Sequence, residues 1–290
     1  MKKIYRNLFG VISIKNIEND IILIFPNYKF FLSKKMYQKK IYKNLLKILY
    51  LKNINYVVLS KKLKNNIKLK NVLYSQNLNI LDGKLLFEIM ILDCLKYITD
   101  IQKINLNSIE ITMLVNNISK NTIDNLILLA NNVRAINIVT NNINKFRKIE
   151  EKIRNKFGIM IRISNNKRKS LQNTKIIFNI DFPEELINKY TINPDAIIIN
   201  INKKIKLNNK FFNGINIQDF NIIMQSEKMT KLKIALQKCS FIDKEIYESI
   251  VIKEKNIYES RKHLIEDRAK IVNLVGNNGI INKKEYVKFK

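Results

Sequence analysis

Between residues 108 and 223 short apolar runs take turns with segments of helical period. The run SIEITMLV (108–115) is followed by NTIDNLILLANN (121–132), in which Ile123, Leu126, Ile127 and Ala130 recur at three- and four-residue spacing. Then come RAINIVT, the helical NKFRKIEEKIRNKF, GIMIRIS, a short KRKSLQN, TKIIFNI, PEELINKY, DAIIININ and finally NGINIQDFNII. Strands that alternate with helical segments predict crossover connections and a mostly parallel sheet. The strands are apolar at nearly every position, as expected when both faces of a sheet are covered.

On either side the pattern changes. In the first third, residues 21–25 and 55–60 read as short strands, residues 34–52 as a helix, and residues 83–101 as one long helix with Asp82 at its cap. After residue 225, residues 229–236 and 258–271 read as helices, and IVNLVGNNGIIN as a strand and turn. No internal repeat and no low-complexity linker is evident. The domains predicted are therefore a small basic α/β domain over 1–106, a parallel-sheet domain over 107–225 and a helical extension over 226–290.

Composition narrows the chemistry. With 46% apolar residues in 290 the chain can build a packed core. Six glycines and three prolines are few, and asparagine stands in at turns because it tolerates left-handed backbone. Abundant Lys, Asn and Ile are what an AT-rich bacterial coding sequence gives, so the net charge of +29 is read by its distribution and not by its total. Two distant cysteines, Cys94 and Cys239, predict no disulfide framework and, with one histidine, no His/Cys metal site. Cys94 sits in an apolar helical pattern as a buried small side chain. His263 lies on a charged helix face, and Glu150 and Glu151 read as surface partners of nearby basic residues. MKKIYRNLFGVISIKN has too short an apolar stretch for a cleaved leader, and IILIF is far below the ~20 residues of a membrane span. A cytoplasmic protein with no transmembrane segment is expected; nothing assigns its oligomeric state.

The stretch from 109 to 202 resembles the Rossmann domain of shikimate dehydrogenases and glutamyl-tRNA reductases. IVTNNINKFRKIEE looks like that family's second strand, ribose-side loop and helix, and IIFNIDFPEE like its fourth strand. The fold class this implies is α/β: a Rossmann-like, mostly parallel sheet preceded by a small α/β domain and followed by a helical extension. It also implies a nucleotide loop over Asn116, Asn117, Ser119 and Lys120, with Thr140 and Asn141 on the ribose side. The fingerprint glycines, however, fall on Asn116, Ile118 and Asn121. The second glycine lets backbone approach a pyrophosphate, and a branched Ile118 fills that space; Asn121 would serve as a helix cap instead. Thr140, Asn141 and Asn142 supply no acid for a ribose, and Arg147 is a weak substitute. No cofactor is therefore expected, with NAD(P) as the alternative. NILDGKLLFE is similar to the family's N-T-D-G segment and VLSKKLK to its lysine segment, which nominates Asp82 and Lys64 for proton transfer.

A second candidate site is electrostatic. From residue 21 to 81 there is no Asp or Glu, against thirteen lysines. Lys35, Lys39, Lys43 and Lys47 recur every four residues, opposite Ile41, Leu45, Ile48 and Leu49. At ~100° per residue they form one stripe, a basic amphipathic helix suited to an anionic partner such as RNA or a lipid surface. The function expected is binding or regulation and not redox catalysis. The alternatives are an NAD(P)-dependent oxidoreductase of shikimate dehydrogenase type and a weak polyanion-binding protein.

Overall fold

A computed structural model describes residues 13–17, 20–24, 35–208, 212–236, 241–252 and 256–288. The chain packs as two compact units. One holds the described residues up to Asp82 together with those of 226–250; the other holds 83–225 and those from Val251 onward. No helix among the described residues is long and apolar enough to cross a membrane.

The larger unit is built on eight strands. In chain order they are β5 (Glu110–Leu114), β6 (Ala135–Val139), β7 (Met160–Ser164), β8 (Ile176–Asn179), β9 (Ile197–Asn200), β10 (Ile215–Ile223), β11 (Lys270–Gly276) and β12 (Gly279–Ile280). They lie side by side as β7-β6-β5-β8-β9-β10-β11-β12. The first six of these are parallel throughout. Renumbered from β5, their order is 3-2-1-4-5-6, the Rossmann arrangement. Helices α6 (Lys120–Ala130), α7 (Ile143–Phe157), α8 (Lys167–Gln172) and the short α9 (Glu184–Ile187) fill the first four crossovers. Strands β8 and β9 are buried at every residue, which is why their sequences are continuous apolar runs. Leu114, Val139, Ile177, Phe182 and Ile198 share one core cluster.

Two readings change here. The helix expected over 83–101 is two, α4 (Lys84–Ile89) and α5 (Ile91–Gln102), broken at Met90. Its cap is Gly83, at φ 88, and not Asp82; a left-handed backbone suits glycine. The helix expected over 258–271, α12 (Ile257–Glu266), stops before residue 270, and the residues from Lys270 form β11, antiparallel to β10 and paired on its other side with β12.

The smaller unit contains an antiparallel pair, β1 (Ser13–Ile17) and β2 (Asp20–Ile24), and a pair of parallel strands, β3 (Tyr56–Val58) and β4 (Asn79–Leu81). Helix α1 (Lys35–Leu51) precedes β3; α2 (Lys61–Lys64) and α3 (Ile67–Tyr74) precede β4. The later segment adds α10 (Glu227–Ala235) and α11 (Asp243–Val251), whose last residue belongs to the larger unit. Ile41, Leu45, Leu49, Leu59, Leu69, Leu73 and Leu78 form its core.

Here the structure reveals a repeat. LYLKNIN at 49–55 recurs as LYSQNLN at 73–79. Both copies end a helix and enter a strand in the same way. Asn53 and Asn77 take left-handed backbone, at φ 50 and 56. The amides of Asn53 and Ile54 donate to Tyr50 and Leu49; those of Asn77 and Leu78 donate to Tyr74 and Leu73. Left-handed closures of this kind satisfy the last carbonyls of a helix. The Asn79 amide donates to Asn55 at 2.9 Å, so the two turns lie side by side.

Candidate functional site

In an open parallel sheet, ligands bind beyond the carboxyl ends of the strands where the order reverses. That point lies between β5 and β8, flanked by the loop 115–119 and by the turn after β8. Asp181, from that turn, reaches across it. Its Oδ1 accepts the Asn116 amide at 2.7 Å and its Oδ2 the Asn117 amide at 2.7 Å. These amides belong to the loop between β5 and α6, where a dinucleotide protein has its glycine-rich turn, and a carboxylate of the chain occupies them.

The turn carrying Asp181 is held from below. Asn179, the last residue of β8, accepts from the Phe182 amide at 3.0 Å and donates to the Phe182 carbonyl at 3.2 Å. It also donates to Asn200 Oδ1 at 3.1 Å. Asn200, the last residue of β9, donates in turn to Asn216 Oδ1 at 2.7 Å and to the Ile217 carbonyl at 3.1 Å. Asn179 and Asn200 are 2% and 1% exposed, so their bonds to Phe182, to each other and to Ile217 are made where water cannot replace them, while the one to Asn216 is part-buried. The result is a ladder of side-chain amides that runs from the carboxyl ends of β8 and β9 to Asn216, near the start of β10.

The residues expected around the nucleotide loop do converge. Asn116 accepts from the Asn141 amide at 2.8 Å through its side chain, and its carbonyl accepts from Asn142 Nδ2 at 2.9 Å. Thr140 is fully buried; its amide donates to the Ser164 carbonyl and its hydroxyl accepts from the Asn142 amide at 3.0 Å. Ser119 caps α6 by accepting from the Thr122 amide at 3.0 Å, and Lys120 opens the helix, exposed. Ile118 is half-buried in the same loop. The cap expected at Asn121 therefore falls on Ser119.

Asn121 has a different partner. It hydrogen-bonds the carboxyl of Glu88, a buried side chain at the end of α4. Burial raises the Glu88 pKa above the ordinary 4.5, and the Asn121 bond offsets part of that rise. A glutamate with a raised folded-state pKa contributes stability that is full below its unfolded value and is lost as pH rises through the folded one. The contribution of Glu88 to stability should therefore fall as pH rises above about 4.5. Glu88→Gln should remove that part of the decline, so that variant and wild type diverge upward in pH, the variant being the more stable at pH 8. Urea unfolding across pH 4 to 8 checks this; parallel curves would refute it.

The other candidates lie apart from the loop. Lys64, at the end of α2, pairs through Nζ with the buried carboxylate of Glu245 on α11. Asp82 follows β4 directly. Lys35 opens α1, and Lys39, Lys43 and Lys47 are exposed on the face opposite Ile41, Leu45 and Leu49. Cys94 is fully buried, and burial pushes its thiol well above the ordinary range. His263 is half-buried, with Nδ1 3.5 Å from Glu266; Glu150 pairs with Arg154 one turn on. Cys239 lies outside the described residues. Among the described residues no cluster of three or more His, Cys, Asp or Glu could hold a metal ion.

Sequence reasoning missed Asp181 and Asn179, although both stand in the quoted IIFNIDFPEE. Asparagine at the last position of a buried strand, with aspartate two residues on, is the signal: in an apolar run such a side chain must bond a backbone turn.

Fold and loop together define a Rossmann-like α/β protein with a mostly parallel sheet and a modified switch-point loop. No family model and no curated protein matches the chain, and nothing supports shikimate dehydrogenases in particular. Among solved structures it is similar to an X-ray structure from Trypanosoma cruzi described as a candidate aspartate carbamoyltransferase. That likeness has 10% identity and a TM-score of 0.27, and covers 58% of this chain and 57% of the length of the other. A likeness of that size bears on neither substrate nor chemistry.

Proposed function

We propose that the chain is a Rossmann-type binding or regulatory protein without redox chemistry, in which its own Asp181 takes the place of a dinucleotide's pyrophosphate. The observation that carries this reading is the pair of 2.7 Å bonds from the Asn116 and Asn117 amides to one carboxylate. A diphosphate seated there would compete with an anion already tied to the loop. At ~4 Å each added pair of like charges costs about 1 kcal/mol in water and about 4 at the effective dielectric of a protein surface. The branched side chain of Ile118 adds bulk where a fingerprint glycine leaves room, and Thr140, Asn141 and Asn142 offer no acid to a ribose. A cytoplasmic location belongs to the same reading, with the Cys94 thiol left reduced.

The test is thermal unfolding with NADH and NADPH up to about 1 mM. A cofactor present at 100 times its Kd stabilises by ~2.7 kcal/mol, several degrees in Tm for a domain of this size. A shift below one degree is expected. A saturable shift with a midpoint near 10 μM would instead support an oxidoreductase of shikimate dehydrogenase type, with Lys64 and Asp82 as its proton-transfer candidates.

A further inference from the structure

From the smaller unit we infer that the end formed by the repeated turns is a surface for single-stranded nucleic acid, with the α1 lysines holding phosphates and Tyr50 and Tyr74 stacking on bases. This is independent of the switch-point loop, which lies in the other unit.

The topology places the rings. Tyr50 and Tyr74 occupy the same position in the two copies of the repeat, each at the last turn of its helix, and their turns are joined through the Asn79 amide. Tyr56 begins β3, in register with Asn79 at the start of β4. All three tyrosines thus stand at the end of the unit where the strands start. Tyr50 is 86% exposed, Tyr74 56% and Tyr56 46%. Three aromatic rings left in water at one end of a small unit are unfavourable for the unit itself. They suit partners with flat faces, and every nucleobase has one.

Charge selects a polyanion. The segment from 21 to 81 has no acid, and of the acids that the later segment brings, Glu245 pairs with Lys64 on α2 and not with an α1 lysine. Glu245 and Glu248 are each 1% exposed. Glu227 pairs with Lys231 at 3.3 Å and Asp243 with Lys233 at 2.7 Å, within or next to their own helix. Lys39, Lys43 and Lys47 run ~12 Å along α1 toward Tyr50, and the exposed Lys52 follows in the turn.

Two other anionic partners fit less well. A helix that lies in a membrane surface must bury its apolar face in lipid, and α1 has already buried Ile41, Leu45 and Leu49 in the core of its own unit. A duplex offers phosphates but hides its base faces, which would leave the tyrosines without a role.

The experiment is fluorescence anisotropy of the full chain with fluorescein-labelled dT20 and U20, from 50 to 200 mM NaCl. Single strands should bind with a salt-dependent affinity. Lys39→Gln/Lys43→Gln/Lys47→Gln should flatten the slope of log K against log salt by about 2, since each phosphate contact contributes ~0.7 for a single strand. Tyr50→Ala/Tyr74→Ala should weaken binding by about tenfold or more and leave that slope unchanged. Tyr50→Phe/Tyr74→Phe should bind like wild type, because stacking needs the ring and not the hydroxyl. Tighter binding of U20 than of dT20 would name RNA as the ligand through its 2′-hydroxyls; equal binding would name any single strand. The inference is overturned if neither strand binds, or if the alanine pair binds as tightly as the phenylalanine pair. A 20-base-pair duplex binding as tightly as dT20, or displacement of dT20 by vesicles of phosphatidylserine and phosphatidylcholine, would overturn it as well.

Discussion

Replacing Asn179 by leucine should lower the unfolding free energy by about 3 kcal/mol. Leucine has nearly the same shape, so the loss comes from hydrogen bonding and not from a cavity. Three buried groups lose their partner together: the amide and the carbonyl of Phe182, and Oδ1 of Asn200. An unpaired buried polar group costs about 1–3 kcal/mol, and bonds in a connected network weaken together. Phe182 stays in the core beside Leu114, Val139 and Ile177, so the turn cannot swing out to water to recover its bonds. Denaturant unfolding reads the loss, and hydrogen exchange reads where it falls. The amides of Asn116 and Asn117 should exchange faster once the turn that presents Asp181 is loosened. A loss under 1 kcal/mol with unchanged exchange at those two amides would show that Asn179 does not hold the site.

The second large effect is expected at Arg261. Its guanidinium, on α12, donates to the Ile89 carbonyl at 3.0 Å and to both oxygens of Asp93, at 2.6 and 3.3 Å. It therefore closes the end of α4 and the start of α5 with one side chain. Its exposure is 14%, and that of Asp93 30%, so water screens the pair only in part. Arg261→Met keeps the packing of the aliphatic stem and leaves a carboxylate and a carbonyl without their donor. Removing one partner of a buried pair costs about 3–5 kcal/mol; with Asp93 part-exposed, about 2–3 kcal/mol is expected. The double variant Arg261→Met/Asp93→Leu should recover part of the loss, because the stranded charge is gone. If the double variant is less stable than Arg261→Met alone, the pair stabilises through more than relief of that charge. In that case the account given for it fails.

The parallel sheet was legible because its strands are buried on both sides, so Ile176–Asn179 and Ile197–Asn200 show as short apolar runs that alternate with helical segments. The small unit was harder. Strand β4 spans only Asn79–Leu81, and α2 has no buried residue; neither is long enough to show a period. The repeat over 49–55 and 73–79 escaped because four of its seven positions match and the flanking lengths differ. At the site, the lost glycines were readable at Asn116, Ile118 and Asn121, and so was the convergence of the two asparagine-rich loops. Their replacement by Asp181 was not, since an aspartate after a strand is ordinary until a loop from elsewhere in the chain points two amides at it. The partner of Lys64 was equally out of reach, for Glu245 lies 181 positions away.

The chain passes from one unit to the other at residues 82, 225 and 250, so neither unit is one continuous stretch of sequence. During synthesis the lysine-rich unit must wait for α11, and with it Glu245, before its last side chains find their places. The large sheet must likewise wait for residues 270–276 before β10 gains its outer neighbour. A fragment cut after Gln225 would carry all six strands of the parallel order, yet both bodies would emerge from the ribosome unfinished.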